Sequence, residues 1–311
     1  MKKIALITIH GMGQTRTGYA DPLIAKVRAR LGPSRSEVLT VRSIYYQQQL
    51  QTNEELLWER CTRSRWLGWQ ALRRFMLFYF ADAVGIEAGK DEVASSYTYA
   101  QAEIARKLLE ARADMGGDGP VVAVAHSLGG QVLSCYLYDA QRARGARLRG
   151  RGAMPPAGVW RGGKASLEEA LGQRLSDAEL EYLGGSSVRA LITIGCNIPI
   201  FVASHRGMSV KPIAPPVETG FEWHNYFNPN DALGWPLQPL GRGYETLVAD
   251  HSILASNLLT CWNPFSHGAY WSDPSVIGAV AGQLARALGP REAGAGAAVR
   301  GLPSASAAAD A

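Results

Sequence analysis

The chain has 311 residues, a formal net charge of +5, and 47% apolar against 19% charged residues. That balance excludes a disordered chain, and the length suffices to bury a large core in one or two domains. The positive charge does not mark the whole protein as a nucleic-acid binder. Seven bases (Arg142, Arg144, Arg147, Arg149, Arg151, Arg161, Lys164) and no acid lie between Ala140 and Leu167, and the rest of the chain is slightly acidic.

In chain order, Lys3 to Ile9 is an isoleucine-rich run suited to a strand buried on both faces. Its apolar stretch is six residues long and has no small-residue cleavage pattern after it. It therefore reads as a first strand rather than a signal peptide, and the expected location is cytoplasmic. A helix is predicted from about Asp21 to Leu31, opened by Pro22 and stopped by Gly32-Pro33. Glu37 to Ile44 follows as a second strand. The stretch from Thr52 to Ile86 is helical in pattern and rich in aromatics (Trp58, Trp66, Trp69, Phe75, Phe78, Tyr79, Phe80). Its most apolar window, 66–86, contains Arg73, Arg74 and Asp82, which argues against a membrane span. Further predicted elements are a helix over Glu92–Ala113, a strand over Val121–Ala125 and a helix over Gly129–Arg142. Strands follow over Val188–Ile194, Phe221–Phe227 and Tyr244–Ala249, and a closing helix over Asp273–Leu288. Strands alternating with helices predict a single α/β domain over residues 1–288. Its sheet is mainly parallel, of about six strands, covered by helices on both faces. The Gly- and Arg-rich stretch 142–187 is expected to be a solvated excursion, with a helix over Ser166–Tyr182. Residues 289–311 are expected to form a disordered tail. Cys61, Cys135, Cys196 and Cys261 match no metal or redox spacing.

The strongest chemical signal is Ala125-His126-Ser127-Leu128-Gly129-Gly130, between a predicted strand and a predicted helix. It resembles the nucleophile elbow G-x-S-x-G of the α/β-hydrolase superfamily, with alanine at the first small position. The pattern is steric: a serine on a sharp turn needs small residues two before and two after it. A serine hydroxyl also needs a base and an orienting acid, which in this family follow in the order acid, then histidine. His10 and His126 precede any such acid, leaving His205, His224, His251 and His267. His267 lies in an H-x-x-Y-W sequence similar to the family's catalytic histidine loop, and His251 is the rival. Asp231, after the strand ending at Phe227, occupies the family's acid position, with Asp250 and Asp273 as alternatives. The resemblance then implies an oxyanion hole from the N–H of Leu128 and of Met12, the latter in His10-Gly11-Met12-Gly13, which is similar to the family's H-G-x-G turn. His10, Gly11, Phe201, Trp235, Tyr270 and Trp271 are the expected substrate-contacting residues.

Gly11-Met12-Gly13-Gln14 lacks both the third glycine of a dinucleotide fingerprint and the G-K-S/T of a P-loop, so nucleotide binding is not expected. The resemblance implies a lipase- or esterase-like serine hydrolase acting on a small-molecule or lipid ester. It needs no metal or organic cofactor and has no nucleic-acid partner. The 52–86 stretch would be a lid or pocket wall, and the basic stretch a weak contact for anionic membrane surfaces. The same triad also serves acyltransferases and thioesterases, and a hydrolase-like binding protein without activity is the non-enzymatic alternative.

Overall fold

A computed structural model describes residues 1–13, 15–63, 67–92, 95–149, 156–204, 210–215, 219–255 and 264–289. The elements run β1 (Ile4–Ile9), α1 (Asp21–Leu31), α2 (Pro33–Glu37), β2 (Leu39–Ile44), α3 (Gln48–Arg63), α4 (Gln70–Ala88) and α5 (Ser96–Met115). They continue with β3 (Val121–His126), α6 (Leu128–Arg149), α7 (Lys164–Leu171), α8 (Asp177–Leu183), β4 (Val188–Ile194) and α9 (Ile198–Val202). The last are β5 (Glu222–Phe227), α10 (Arg242–Leu247), β6 (Val248–Ser252), a 3-10 segment (Pro264–Ser272) and α11 (Pro274–Ala287).

The six strands form one sheet in the order β2-β1-β3-β4-β5-β6, every neighbouring pair parallel. Each of the central strands β1 and β3 is buried on both faces, which is why they read as continuous apolar runs. Along β1 and β3 the odd positions (Ala5, Ile7, Ile9, Val121, Ala123, Ala125) join the core under α5 and α6. The even positions (Ile4, Leu6, Val122, Val124) join the core under α1 and α11. β2 lies on one side of β1 and every later strand on the other. The loops leaving β1 and β3 therefore diverge at adjacent strand ends, the place where open parallel sheets form a crevice. Register brings those ends level: Ile9 stands opposite Ala125, and His126 opposite Ile194.

Three predicted elements need correction. The expected strand over Tyr244–Ala249 is a short helix, α10, and the strand begins only at Val248. Gly241, at φ 132°, starts that helix in a conformation L-residues avoid. The second strand starts at Leu39 rather than Glu37, because Pro33–Glu37 forms a helical turn. The 142–187 stretch is not a solvated excursion where it is described. α6 runs on to Arg149, and Trp160, Leu167, Leu175, Leu180, Tyr182 and Leu183 are buried in the main core. Its expected single helix is two. α7 ends at Gly172, in the left-handed conformation, and α8 restarts from a Ser176–Glu179 capping box. Arg151, Trp66, His205, Cys261 and residues 290–311 of the expected tail lie outside the described residues.

The aromatics of the 52–86 stretch divide between two environments. Phe78 is buried, whereas Trp69 and Phe80 are exposed together with Leu72, Met76 and Val84 of the same helix. Among the described residues no helix is long and apolar enough to cross a membrane.

Candidate active site

The site begins with the turn between β3 and α6. Ser127 has φ 53°, a left-handed conformation that costs a non-glycine residue about 1–2 kcal/mol. Its N–H donates to Ile194 O at 3.0 Å, and its carbonyl accepts from Gly130 N at 2.9 Å. These bonds hold the residue at the junction of strand and helix. The small residues around it have measurable reasons. A Cβ on Gly129 would fall 2.4 Å from His10 O, and a Cβ on Gly11 would fall 2.5 Å from Ser127 Cβ. The loop after β1 and the elbow after β3 thus pack backbone against backbone.

Ser127 is fully buried and its Oγ has no hydrogen-bond partner among the described residues; the same holds for Nε2 of His267, which is 2% exposed. The other ring nitrogen of His267, Nδ1, donates to Asp231 Oδ2 at 2.7 Å. Two contacts bring His267 to the elbow. His126 Nε2 donates to the His267 carbonyl at 2.7 Å, and the two imidazole rings lie 4.6 Å apart. Gly195, at the end of β4, gives the ring room: a Cβ there would sit 3.1 Å from His267 Cε1 and 2.8 Å from the Tyr270 ring. Burial works against a charge on Asp231. Hydrogen bonds from His267, the Leu233 amide and Tyr270 outweigh it and hold the carboxyl below its ordinary range. A buried anion bonded to Nδ1 fixes the imidazole tautomer with Nε2 free to accept a proton.

The rival candidates have other partners. Asp250 accepts from Asn225 Nδ2 and from the amides of Leu237 and Gln238. Asp273 caps α11 through the Ser275 and Val276 amides. His251 lies in β6, 3.0 Å from His224 Nδ1 and stacked on Tyr226.

The expected substrate-contacting residues lie in several environments. His10 is buried, its Nδ1 donating to Gly11 O at 2.8 Å and its Nε2 accepting from Tyr46 N at 3.3 Å; burial pushes its pKa down to about 4. With both nitrogens engaged and its ring stacked 4.5 Å from Tyr46, it braces the loop and has no free polar atom to offer a ligand. Phe201 is buried in the main core, and Trp271 packs beside Tyr19 and His126 on the opposite face of the sheet. Trp235 is 44% exposed, four residues past Asp231. Gly11 lies over Ser127 as described. Tyr270 also lies behind the acid. Fully buried, it donates to Asp231 Oδ2 at 2.9 Å and accepts from Asn228 N at 2.9 Å, so it holds the carboxylate. Leu128 is the first residue of α6, so its N–H has no partner within the helix. Met12 stands between Gly11 and Gly13 in the facing loop.

Three residues were not foreseen. Asn197, two residues after Gly195, is fully buried, and neither of its amide atoms has a partner among the described residues. Asp82 of α4 accepts the Gly13 N–H at 2.8 Å. Tyr79, one turn earlier, lies against Gly13 and is close enough to Asp231 for that carboxylate to help raise its pKa, after burial. α4 therefore packs directly on the Gly13 loop. A cavity of about 260 Å³, lined by Leu137, Val188, Ile213 and Phe221 among others, lies at the opposite end of the strands, by the start of β4. No known family profile, curated protein sequence or solved structure matches the chain.

Proposed function

We propose that this protein is a serine hydrolase of the α/β-hydrolase type that cleaves carboxylic esters, small or lipid, through an acyl-enzyme on Ser127. One observation carries the reading: a serine hydroxyl on a strained strand-to-helix turn, beside a buried His267–Asp231 pair, with neither the hydroxyl nor the outer nitrogen of His267 partnered among the described residues. Backbone strain at a buried polar residue persists only where the surroundings impose it, and such strain concentrates at functional sites.

In this mechanism His267 Nε2 takes the proton from Ser127 Oγ as the oxygen attacks the ester carbonyl. The N–H groups of Leu128 and Met12 donate to the oxygen that becomes negative. His267 then gives its proton to the departing alkoxide. A water molecule, deprotonated in turn by His267, attacks the acyl carbonyl, and His267 returns that proton to Ser127 Oγ as the acid leaves. Asp231, seated by Tyr270 and Leu233, keeps the imidazole in the required tautomer and stabilises the imidazolium.

The α3–α4 pair serves as a wall of the pocket. Ser127 has no exposure in this conformation, and Tyr79 of α4 packs on the Gly13 loop, so the Tyr79 side chain turns aside when an ester enters while the helix stays seated. A series of p-nitrophenyl esters of rising chain length, with Ser127→Ala as control, tests the function. Hydrolysis abolished by the substitution supports it, and turnover retained by Ser127→Ala refutes it. Adding alcohol or thiol acceptors to the same assay separates hydrolysis from acyl transfer.

A further inference from the structure

The loop carrying Met12 is tied down from outside the sheet. Gly13 N–H donates to Asp82 Oδ2 at 2.8 Å, and the Gln47 side-chain amide reaches the same oxygen. Gln51 Nε2 donates to Gly13 O at 3.3 Å, and the Tyr45 hydroxyl to Thr15 O at 3.3 Å. A Cβ on Gly13 would fall 2.4 Å from the Tyr79 ring, so α4 rests directly on the loop. Asp82 is fully buried, and Glu54 of α3, 4% exposed, sets its carboxyl against that of Asp82. Neither Glu54 oxygen nor Asp82 Oδ1 has another partner among the described residues.

The titratable groups around the pair are Glu55 of α3, Tyr79 of α4, Tyr45 and Tyr46 after β2, and Tyr99 of α5 beside Tyr45. A cation, Arg74 of α4, pairs with Glu55 at 2.6 Å. Two neighbouring carboxyls in such a place cannot both ionise cheaply, and one proton between them engages two of the oxygens that otherwise lack partners. Burial, reinforced at Asp82 by the neighbouring Glu54, pushes Asp82 up to about 8; burial pushes Glu54 up to about 7.

The geometry points to Asp82 as a positioning residue for the oxyanion loop: it holds the Gly13 N–H, and through it the Met12 amide, while a proton shared with Glu54 keeps the pair seated. The role of Met12 rests on the ester-hydrolase reading, whereas the seating of the loop does not. Asp82 touches no reacting atom. Loss of the shared proton puts two negative charges in contact under α4, so the loop loosens as pH rises.

The test uses the full chain with Asp82→Ala and Asp82→Asn. Asparagine keeps an acceptor for Gly13 N–H but cannot ionise. The first readout is amide hydrogen exchange of residues 10–13, which needs no activity. Exchange is expected to quicken about tenfold or more in Asp82→Ala and to return toward wild type in Asp82→Asn. The second is p-nitrophenyl ester kinetics. Asp82→Ala should lower kcat about tenfold or more with KM within about twofold, because a misplaced oxyanion donor acts on the transition state. Wild-type kcat should fall as pH passes about 8, and Asp82→Asn should lack that limb. Unchanged exchange in Asp82→Ala overturns the proposal. So does equal damage in both variants with an unaltered pH profile, which would leave Asp82 a merely structural residue. If exchange behaves as expected while the wild type hydrolyses no ester, the ester-hydrolase reading fails and the seating of the loop stands.

Discussion

Gly129→Ala sets two physical effects against each other. Position 129 is the second residue of α6, and helix propensity alone favours alanine over glycine by up to about 1 kcal/mol. The structure gives the opposite sign. The new Cβ would meet His10 O at 2.4 Å, Ile9 O at 3.0 Å and His10 C at 3.1 Å, all backbone atoms. Those atoms end a central strand whose register is fixed on both sides, Ile9 against Ile44 and against Ala125, so they cannot yield cheaply. Forcing a methyl into such a space costs about 1–3 kcal/mol. The clash is therefore expected to win, with a net loss of about 1–2 kcal/mol and a fall in melting temperature of a few degrees. It should also lower Ser127 reactivity, since the elbow is driven away from Gly11. Gly145→Ala, in the same helix with nothing within 4 Å of its Cβ, is the control and should stabilise by about 0.5–1 kcal/mol. Urea midpoints and the rate of fluorophosphonate labelling measure both effects. Gly129→Ala as stable and as reactive as Gly145→Ala would refute the packing of the elbow against the β1 loop.

Other outcomes follow from the same contacts. Asp231→Asn should reduce ester turnover by about 10³–10⁴-fold with the fold intact, because Nδ1 of His267 loses its anion; full turnover would reassign the acid. Tyr270→Phe leaves the Asn228 amide without its acceptor and Asp231 with one donor fewer, for an expected loss of about 1–3 kcal/mol by urea unfolding. For Asp82 and Glu54 the folded pKa values, about 8 and about 7, lie above the ordinary 3.8 and 4.5. The folded state thus holds protons that the unfolded chain has released. Their contribution is fully present below about pH 4 and is lost as pH rises through 7 to 8. The unfolding free energy from urea curves should drop between pH 5 and pH 8.5 by on the order of 1 kcal/mol or more, and Asp82→Asn should flatten the change.

The sequence anticipated those parts of the site that local sterics and strand burial dictate. Apolar runs such as Val121–Ala125 and Val188–Ile194 announce strands covered on both faces. The small residues flanking Ser127 announce an elbow, and the contacts of Gly129 and Gly11 supply the reason. Asp231 and His267 came from chain order and a family resemblance, and the structure brings their side chains within 2.7 Å. What failed depended on distant partners. Tyr270 is expected at the pocket wall from its place beside His267 in sequence, and the sequence does not show that its hydroxyl donates 39 residues back to Asp231. Asp82 looked like an argument against a membrane span, and nothing near it in sequence points to Gly13, 69 residues earlier. The 142–187 stretch reads as solvated because it is rich in glycine and arginine, and within its described part glycines at 163, 172 and 184 cut it into short helices. Its apolar residues reach the core singly rather than with a clear period.

The central claim is that Ser127 is an activated nucleophile. Intact-mass and peptide mapping after treatment with a fluorophosphonate probe tests it most directly. The expected result is a single adduct on Ser127, absent from Ser127→Ala and strongly slowed in His267→Ala. A native protein that takes no adduct, or takes it on another residue at the same rate in Ser127→Ala, would contradict the claim.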